Sequence, residues 1–344
     1  MTYKIVTLAG DGIGPEIMEA GLAVLEKVAR QVDFHYEIIP CEFGGAAIDK
    51  YGTPLPDETL AIAKNADAIL HGSIGDPKFD HATVRPEQGL LTIRKELGLF
   101  ANIRPLKVYE PLKEISPIKN VKNVDFIVVR ELTGGIYFGE HQLADDKAQD
   151  SCTYERYEIE RVARVAFELA RKRRKHVTSI DKQNVLATSK LWRTVVTEVA
   201  ADYPDVTLVH QLVDSAAMRL ITHPQEFDVI LTENLFGDIL TDEAAAIAGT
   251  LGVMASSSTG LSTAFYEPIH GSAPDIAGMG IANPTGMILS IAMMLAGSFG
   301  QKEAALKIEK AVEATLADGI FTKDLGGTAT TTQMRDEIIA RLSI

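Results

Sequence analysis

The stretch Lys4-Ile5-Val6-Thr7-Leu8-Ala9-Gly10-Asp11-Gly12-Ile13-Gly14-Pro15-Glu16 decides how this chain is read. An apolar run comes first, then three glycines at alternate positions, then a proline where a helix would begin. Strand, glycine turn and helix start are also the layout of a Rossmann dinucleotide unit. The spacing differs, because G-x-G-x-G-P stands where G-x-G-x-x-G is required. Pro15 suits the first turn of a helix, which is a structural role. Glu37 lies about where a ribose-binding acid would follow, but a lone acid carries little weight. The phosphate-loop pattern G-x-x-x-x-G-K-S/T is absent.

Working outward, short β-branched or apolar runs alternate with helical patterns. Strands are expected at residues 4–8, 68–71, 125–129, 177–180, 207–209 and 228–231. Ile159, Val162, Ala166 and Leu169 recur at helical spacing, which predicts a helix within 154–174. Such alternation implies an α/β fold with a largely parallel sheet. The basic run Arg171-Lys172-Arg173-Arg174-Lys175-His176 reads as a solvated helix end facing the negative pole of the dipole. Residues 139–153 are polar and poorly periodic, as in a mobile loop or an arm ordered against a partner.

Composition limits the function classes. The chain has 344 residues, 46% hydrophobic and 24% charged, enough for two domains or one large α/β unit. The net charge of −13 argues against nucleic acid and against an anionic membrane surface. No apolar run is long enough to span a bilayer, and the start at Met1-Thr2-Tyr3-Lys4 has no signal-peptide layout. Cys41 and Cys152 form neither a disulfide framework nor a zinc pattern. A cytoplasmic enzyme is the expectation.

Asn234-Leu235-Phe236-Gly237-Asp238-Ile239-Leu240-Thr241-Asp242-Glu243-Ala244 places two aspartates four apart at a helix start, hence on one face. Their repulsion would be relieved by a hard cation such as Mg²⁺ or Mn²⁺; the alternative is a pair of acids facing the helix dipole. Arg94, Arg104 and Arg130 sit in loop or strand-end settings that suit a dicarboxylate substrate, with surface ion pairs as the alternative. Lys182 follows a short strand, where a lysine near metal or arginine charge can serve as a base. Asp214 offers a third carboxylate. Tyr266-Glu267-Pro268-Ile269-His270-Gly271-Ser272-Ala273-Pro274-Asp275-Ile276-Ala277-Gly278, with Ala282-Asn283-Pro284, is a long Gly/Pro loop with donors for phosphate and an acid for a ribose diol. An ordinary connecting loop is the plainer reading, and Asp275 could equally be a helix N-cap.

These motifs resemble the β-decarboxylating isocitrate/isopropylmalate dehydrogenase family from Gly10-Asp11-Gly12 to Leu325-Gly326-Gly327-Thr328. Glu87-x-x-Leu90-Leu91-x-x-Arg94 points to its isopropylmalate branch. The resemblance implies a two-domain fold, not a Rossmann fold, with residues 1–99 and 250–344 in one domain and 100–249 in the other. It implies that Arg94, Arg104 and Arg130 grip the malate carboxylates, that Lys182 is the base and that Tyr137 protonates carbon after CO₂ leaves. Asp214, Asp238 and Asp242 would hold the metal, with Asp214 also near the substrate. Glu87, Leu90, Leu91 and Val185 would surround the isopropyl group and the nicotinamide side. Ile13, Glu267, His270, Gly271, Ser272, Ala273, Asp275 and Asn283 would bind NAD⁺, with Asp275 favouring NAD⁺ over NADP⁺. Lys182 and Asp214 would serve the second subunit of a homodimer interlocked by the arm at 139–153. The implied reaction takes (2R,3S)-3-isopropylmalate to 2-oxoisocaproate and CO₂, in leucine biosynthesis. D-malate, tartrate or homoisocitrate dehydrogenases are alternatives within the superfamily, and a non-catalytic dinucleotide-binding subunit is one outside it. Asp76, Ser215 and the pair Thr285-Gly286 depart from the family pattern without removing a catalytic group.

Overall fold

The structure, a computed structural model, describes residues 2–118 and 121–342. The chain divides into two compact units, Met1–Gly98 with Tyr109–Ile115 and Gly249–Ile344, and Leu99–Val108 with Ser116–Ala248. The segment Tyr109–Ile115, expected in the second domain, groups with the first, where Leu112 is fully buried.

In the first unit the strand order is Tyr36–Pro40, Tyr3–Gly10, Ala68–Ser73, Ala264–Pro268, Ala255–Gly260. All pairs are parallel except the last. Ile5 pairs with Ile38 on one side and Ala68 on the other, so Tyr3–Gly10 is a central strand and is buried along its middle. The helix Gly14–Gln31 begins with Pro15 in its first turn and buries Ile17, Val24, Leu25 and Val28 at helical spacing. Thr285–Gly297 is buried over most of its length and packs on the sheet as an interior helix. Glu37 is exposed at the second position of Tyr36–Pro40, at the N-terminal end of that strand, whereas a ribose-binding acid would stand at the C-terminal end.

The second unit orders Leu99–Lys107, Asp125–Glu131, Val229–Thr232, His176–Asp181, Thr207–Leu212, with only the first pair antiparallel. Its core closes on Trp192, Phe167, Val162, Val196 and Leu231. The predicted helix appears as Arg156–Arg171, with Ile159, Val162 and Ala166 buried. The basic run after it is a clamp and not merely a solvated end. Arg173 bonds Asp125 and Asp228, Arg174 bonds the Phe227 carbonyl, and Arg171 bonds Asp205. Buried Asp228 needs these partners, because an unpaired interior carboxylate is costly. Within 139–153 the strands His141–Leu143 and Ala148–Asp150 form an exposed two-stranded ribbon. Among the described residues, no helix is long and apolar enough to cross a membrane.

Candidate active site

The second unit builds its polar centre on the helix Asn234–Ala248. Gly237 lets the strand-end Arg130 lie against the first turn, where a Cβ would come within 2.7 Å of Arg130 Cγ. Arg130 donates from Nε and Nη2 to Asn234 Oδ1 at 3.0 and 2.8 Å, and from Nη1 to Asp238. The Tyr137 hydroxyl donates to the other Asp238 oxygen at 2.8 Å. Arg104 donates to Asn102 at 2.6 Å and to Thr241 Oγ1 at 2.5 Å, with Asp238 4.0 Å away. Arg104, Arg130, Tyr137, Asp238 and Asp242 therefore converge on one helix face.

Electrostatics separates the two aspartates. Burial opposes the Asp238 charge, but Arg130, Tyr137 and Arg104 hold its carboxyl below the usual range. Burial and the neighbouring Asp238 push Asp242 up, with Arg104 opposing. Asp242 has no cation within ion-pair distance among the described residues. Burial and the Asp238 hydrogen bond push the Tyr137 phenol up to about 12, so it keeps its proton at neutral pH.

Lys182 lies elsewhere in this unit, with Nζ 2.8 Å from Asp214 Oδ1. Its nearest charge is therefore an acid, where proximity to a metal or an arginine was the expectation. No three His, Cys, Asp or Glu side chains group as metal ligands among the described residues. Within one chain, then, Asp214 does not join Asp238 and Asp242. Val185 follows in the same loop and is 66% exposed.

In the first unit, Glu87, Leu90, Leu91 and Arg94 occupy positions i, i+3, i+4 and i+7 of the helix Pro86–Glu96, hence one face. Arg94 is buried and donates to Glu267 at 2.8 Å, while His71 Nδ1 meets the other Glu267 oxygen at 2.9 Å. Burial works against the Glu267 charge, yet Arg94 and His71 hold its carboxyl down to about 2. Arg94 Nε is left without a hydrogen-bond partner. Arg94 is thus anchored inside this unit with its Nε donor still unspent.

A cavity of about 610 Å³ opens in the first unit. Ile13, His270, Gly271, Ala273, Asp275 and Asn283 line it. Glu267 and Ser272 do not, since Glu267 pairs with Arg94 and the Ser272 carbonyl accepts from Ile13 N–H at 2.8 Å. Asp275 lies within the single turn Pro274–Ile276, whose N-cap position is Ala273, so it is not an N-cap. Sequence reasoning missed Thr250, Leu251, Gly252, Lys323 and Asp324 on the cavity wall. Asp324 accepts from Thr250, Asn283 and Thr322 at 2.8, 3.0 and 2.6 Å. The signal available was its place immediately before Leu325-Gly326-Gly327.

Residues 4–338 match the family described as isocitrate/isopropylmalate dehydrogenase. The chain belongs to that family. It is 67% identical over 341 residues to a 3-isopropylmalate dehydrogenase of Lactococcus lactis subsp. lactis, covering 98% of this chain and 99% of that protein. It is 56% identical over 342 residues to a 3-isopropylmalate dehydrogenase of Staphylococcus haemolyticus, covering 98% and 99%. Among solved structures, isocitrate dehydrogenase from Methylococcus capsulatus superposes with a TM-score of 0.91 at 37% identity, covering 99% of this chain and all of that one.

For a member of the isocitrate/isopropylmalate dehydrogenase family, the departures noted in the sequence fall on structural positions. Asp76 accepts from Lys78 N–H at 3.0 Å and caps a turn. Ser215 accepts from Gln211 at 3.2 Å. A Cβ at Gly286 would lie 2.8 Å from the Met254 carbonyl oxygen, so the helix start there needs a small residue. Two features fit the groups this family implies. Asp238 and Asp242 offer hard oxygen donors with a partly uncompensated charge, as a divalent cation requires. The cavity wall carries a buried, unpartnered His270 Nε2 beside Gly271, where added atoms would meet open space, as a dinucleotide requires.

Proposed function

We propose that the chain oxidises (2R,3S)-3-isopropylmalate to 2-oxoisocaproate and CO₂ with NAD⁺ and Mg²⁺ or Mn²⁺, as a cytoplasmic homodimer serving leucine biosynthesis. The observation that carries this reading is the convergence of Arg104, Arg130 and Tyr137 on Asp238, beside the partly uncompensated Asp242. The relatives' names supply the substrate.

Arg94, Arg104 and Arg130 would hold the two carboxylates, since guanidinium forks match carboxylates in two-point contacts. Asp238 and Asp242, with Asp214 of the second subunit, would hold the cation, which polarises the substrate's oxygen as a Lewis acid. NAD⁺ in the His270–Asn283 loop would accept the hydride. Lys182 takes the hydroxyl proton, and for this its pair with Asp214 has to open and its ammonium proton pass to water, leaving the neutral amine as the base. When CO₂ leaves, the bonding electrons remain on the adjacent carbon, and Tyr137 delivers its proton there. A phenol near 12 is protonated before that step, as this role demands. Leu90 and Leu91, one turn before Arg94, would meet the isopropyl group.

The test is turnover of 3-isopropylmalate and D-malate, each with NAD⁺, with and without chelator. The expected result is metal-dependent activity with a clear preference for the branched substrate. Undiminished activity in chelator, or equal kcat/KM for both acids, would overturn it. The shared site has its own test: Lys182→Ala mixed with Tyr137→Phe should regain activity, because one site of each mixed dimer carries neither change.

A further inference from the structure

Glu233 is 4% exposed and takes no part in the chemistry above. Its Oε1 accepts from the Ser189 hydroxyl, in the first turn of the helix Ala187–Ala200. Ser189 is fully buried, and its Oγ in turn accepts the Lys182 backbone N–H at 3.0 Å. The Lys182 carbonyl accepts from Val185 and Leu186 N–H, both at 3.0 Å. The peptide groups on either side of Lys182 are thereby fixed, and the side chain leaves from a held backbone.

We propose that Glu233 is a positioning residue, acting through Ser189 to fix the backbone from which Lys182 reaches its proton. The inference rests on Lys182 being the base. In the chain N–H to hydroxyl to carboxylate, each group has one acceptor, and Glu233 is the terminal one. Remove it and the Ser189 hydroxyl is left buried with no acceptor, or turns to compete for other groups.

Several charged and titratable groups face Glu233. Asp181, from the strand His176–Asp181, is buried and held by Arg193 at 2.9 and 3.0 Å. Cys152 and Tyr154 approach from the segment before the helix Arg156–Arg171, and each is influenced by the Glu233 charge. Burial pushes the Glu233 carboxyl up to about 7, with Ser189 opposing and Asp181 adding to the rise. The ionised acceptor is therefore gained as pH rises through neutrality.

The experiment compares wild type, Ser189→Ala, Glu233→Ala and Glu233→Gln. It reads kcat and KM between pH 6 and 8, melting temperature, and hydrogen exchange at the Lys182 amide. Glu233→Ala and Ser189→Ala should lower kcat about tenfold with little change in KM, since a displaced catalytic group costs rate more than binding. Both should speed exchange at Lys182 while distant strands stay protected. Glu233→Gln keeps an acceptor without a titrating charge, so it should restore most of kcat, and its ratio to wild type should change across pH 7. Unchanged exchange at Lys182 in both alanine variants, or exchange raised equally throughout the chain, would overturn the proposal. If wild type fails to turn over 3-isopropylmalate, the proposed reaction falls, and the exchange measurement still decides the positioning role.

Discussion

Two glycine loops of the first unit look alike in sequence and behave as opposites. In Gly10–Gly14 every glycine is forced by contact. A Cβ would come within 1.9 Å of the Ser73 carbonyl oxygen at Gly10, 2.0 Å of the Ser272 oxygen at Gly12 and 2.1 Å of the Ala9 oxygen at Gly14. Three of the loop's donors are spent: Asp11 N–H on Ser73 and Ile13 N–H on Ser272, both at 2.8 Å, and Gly14 N–H on the Asp11 carbonyl at 2.9 Å. The Asp11 carboxylate staples Gly45, Ala46 and Gly75 N–H at 3.0, 3.2 and 3.0 Å. In the His270–Asn283 loop, a Cβ at Gly271 would meet nothing within 4 Å, and a cavity lies beside it. Glycine enrichment marks backbone approach in one place and room for a ligand in the other. What separates them is whether an added side chain would meet backbone or open space.

The largest expected effect comes from breaking the closed loop. Gly12→Ala adds a Cβ against the Ser272 oxygen at a backbone φ of 56°, where side chains are strained. Loss of about 4 kcal/mol or more, or failure to fold, is expected in urea denaturation. A stable Gly12→Ala protein would dissolve the distinction between the loops.

The open loop relies on charge at its base. The folded Glu267 carboxyl is held near 2 against an ordinary 4.5, so the unfolded chain takes up its proton first. Its contribution, roughly 3 kcal/mol, is complete above the ordinary value and fades as pH falls towards 2. Glu267→Gln should flatten that acid limb of a stability–pH curve, and an unchanged limb would show that Arg94 and His71 give the charge no net support.

Next comes the Asp275→Lys, Ile276→Tyr pair, predicted to move the NAD⁺/NADP⁺ ratio of kcat/KM at least about tenfold towards NADP⁺, by removing a carboxylate that repels the 2′-phosphate. A ratio that stays put while the melting temperature drops would make these residues part of the frame. The smallest effect is expected of Gly271→Ala, with stability changed by less than about 0.5 kcal/mol and NAD⁺ binding, followed by titration calorimetry, weakened. Unaltered binding would mean that the open space at Gly271 is not used.

The parts legible in the sequence were those where one residue type implies one local geometry. Asp238 and Asp242 do share a helix face, and Pro15 does open a helix. The strand Val229–Thr232 announced itself through its apolar run. Ala255–Gly260 did not, because Ser256, Ser257 and Ser258 are buried polar residues whose strand state is set by pairing with Phe265–Glu267. Leu99–Lys107 was hidden by Pro105 and by inward-facing Asn102 and Arg104. Partners far apart in sequence were equally invisible: Arg94 finds Glu267 across 173 residues, and Asn283 finds Asp324 across 41.

The strand Ala68–Ser73 is buried along its whole length and pairs on one side with Ala264–Pro268. During synthesis that partner does not yet exist. The 196 residues between His71 and Glu267 correspond to roughly 10–40 s of translation. Through that interval an apolar strand edge is exposed to any neighbouring chain, a recognised hazard for misassembly. The earlier of these two paired strands therefore has to wait for the later one, and the yield of the protein in a cell should depend on how well that wait is chaperoned.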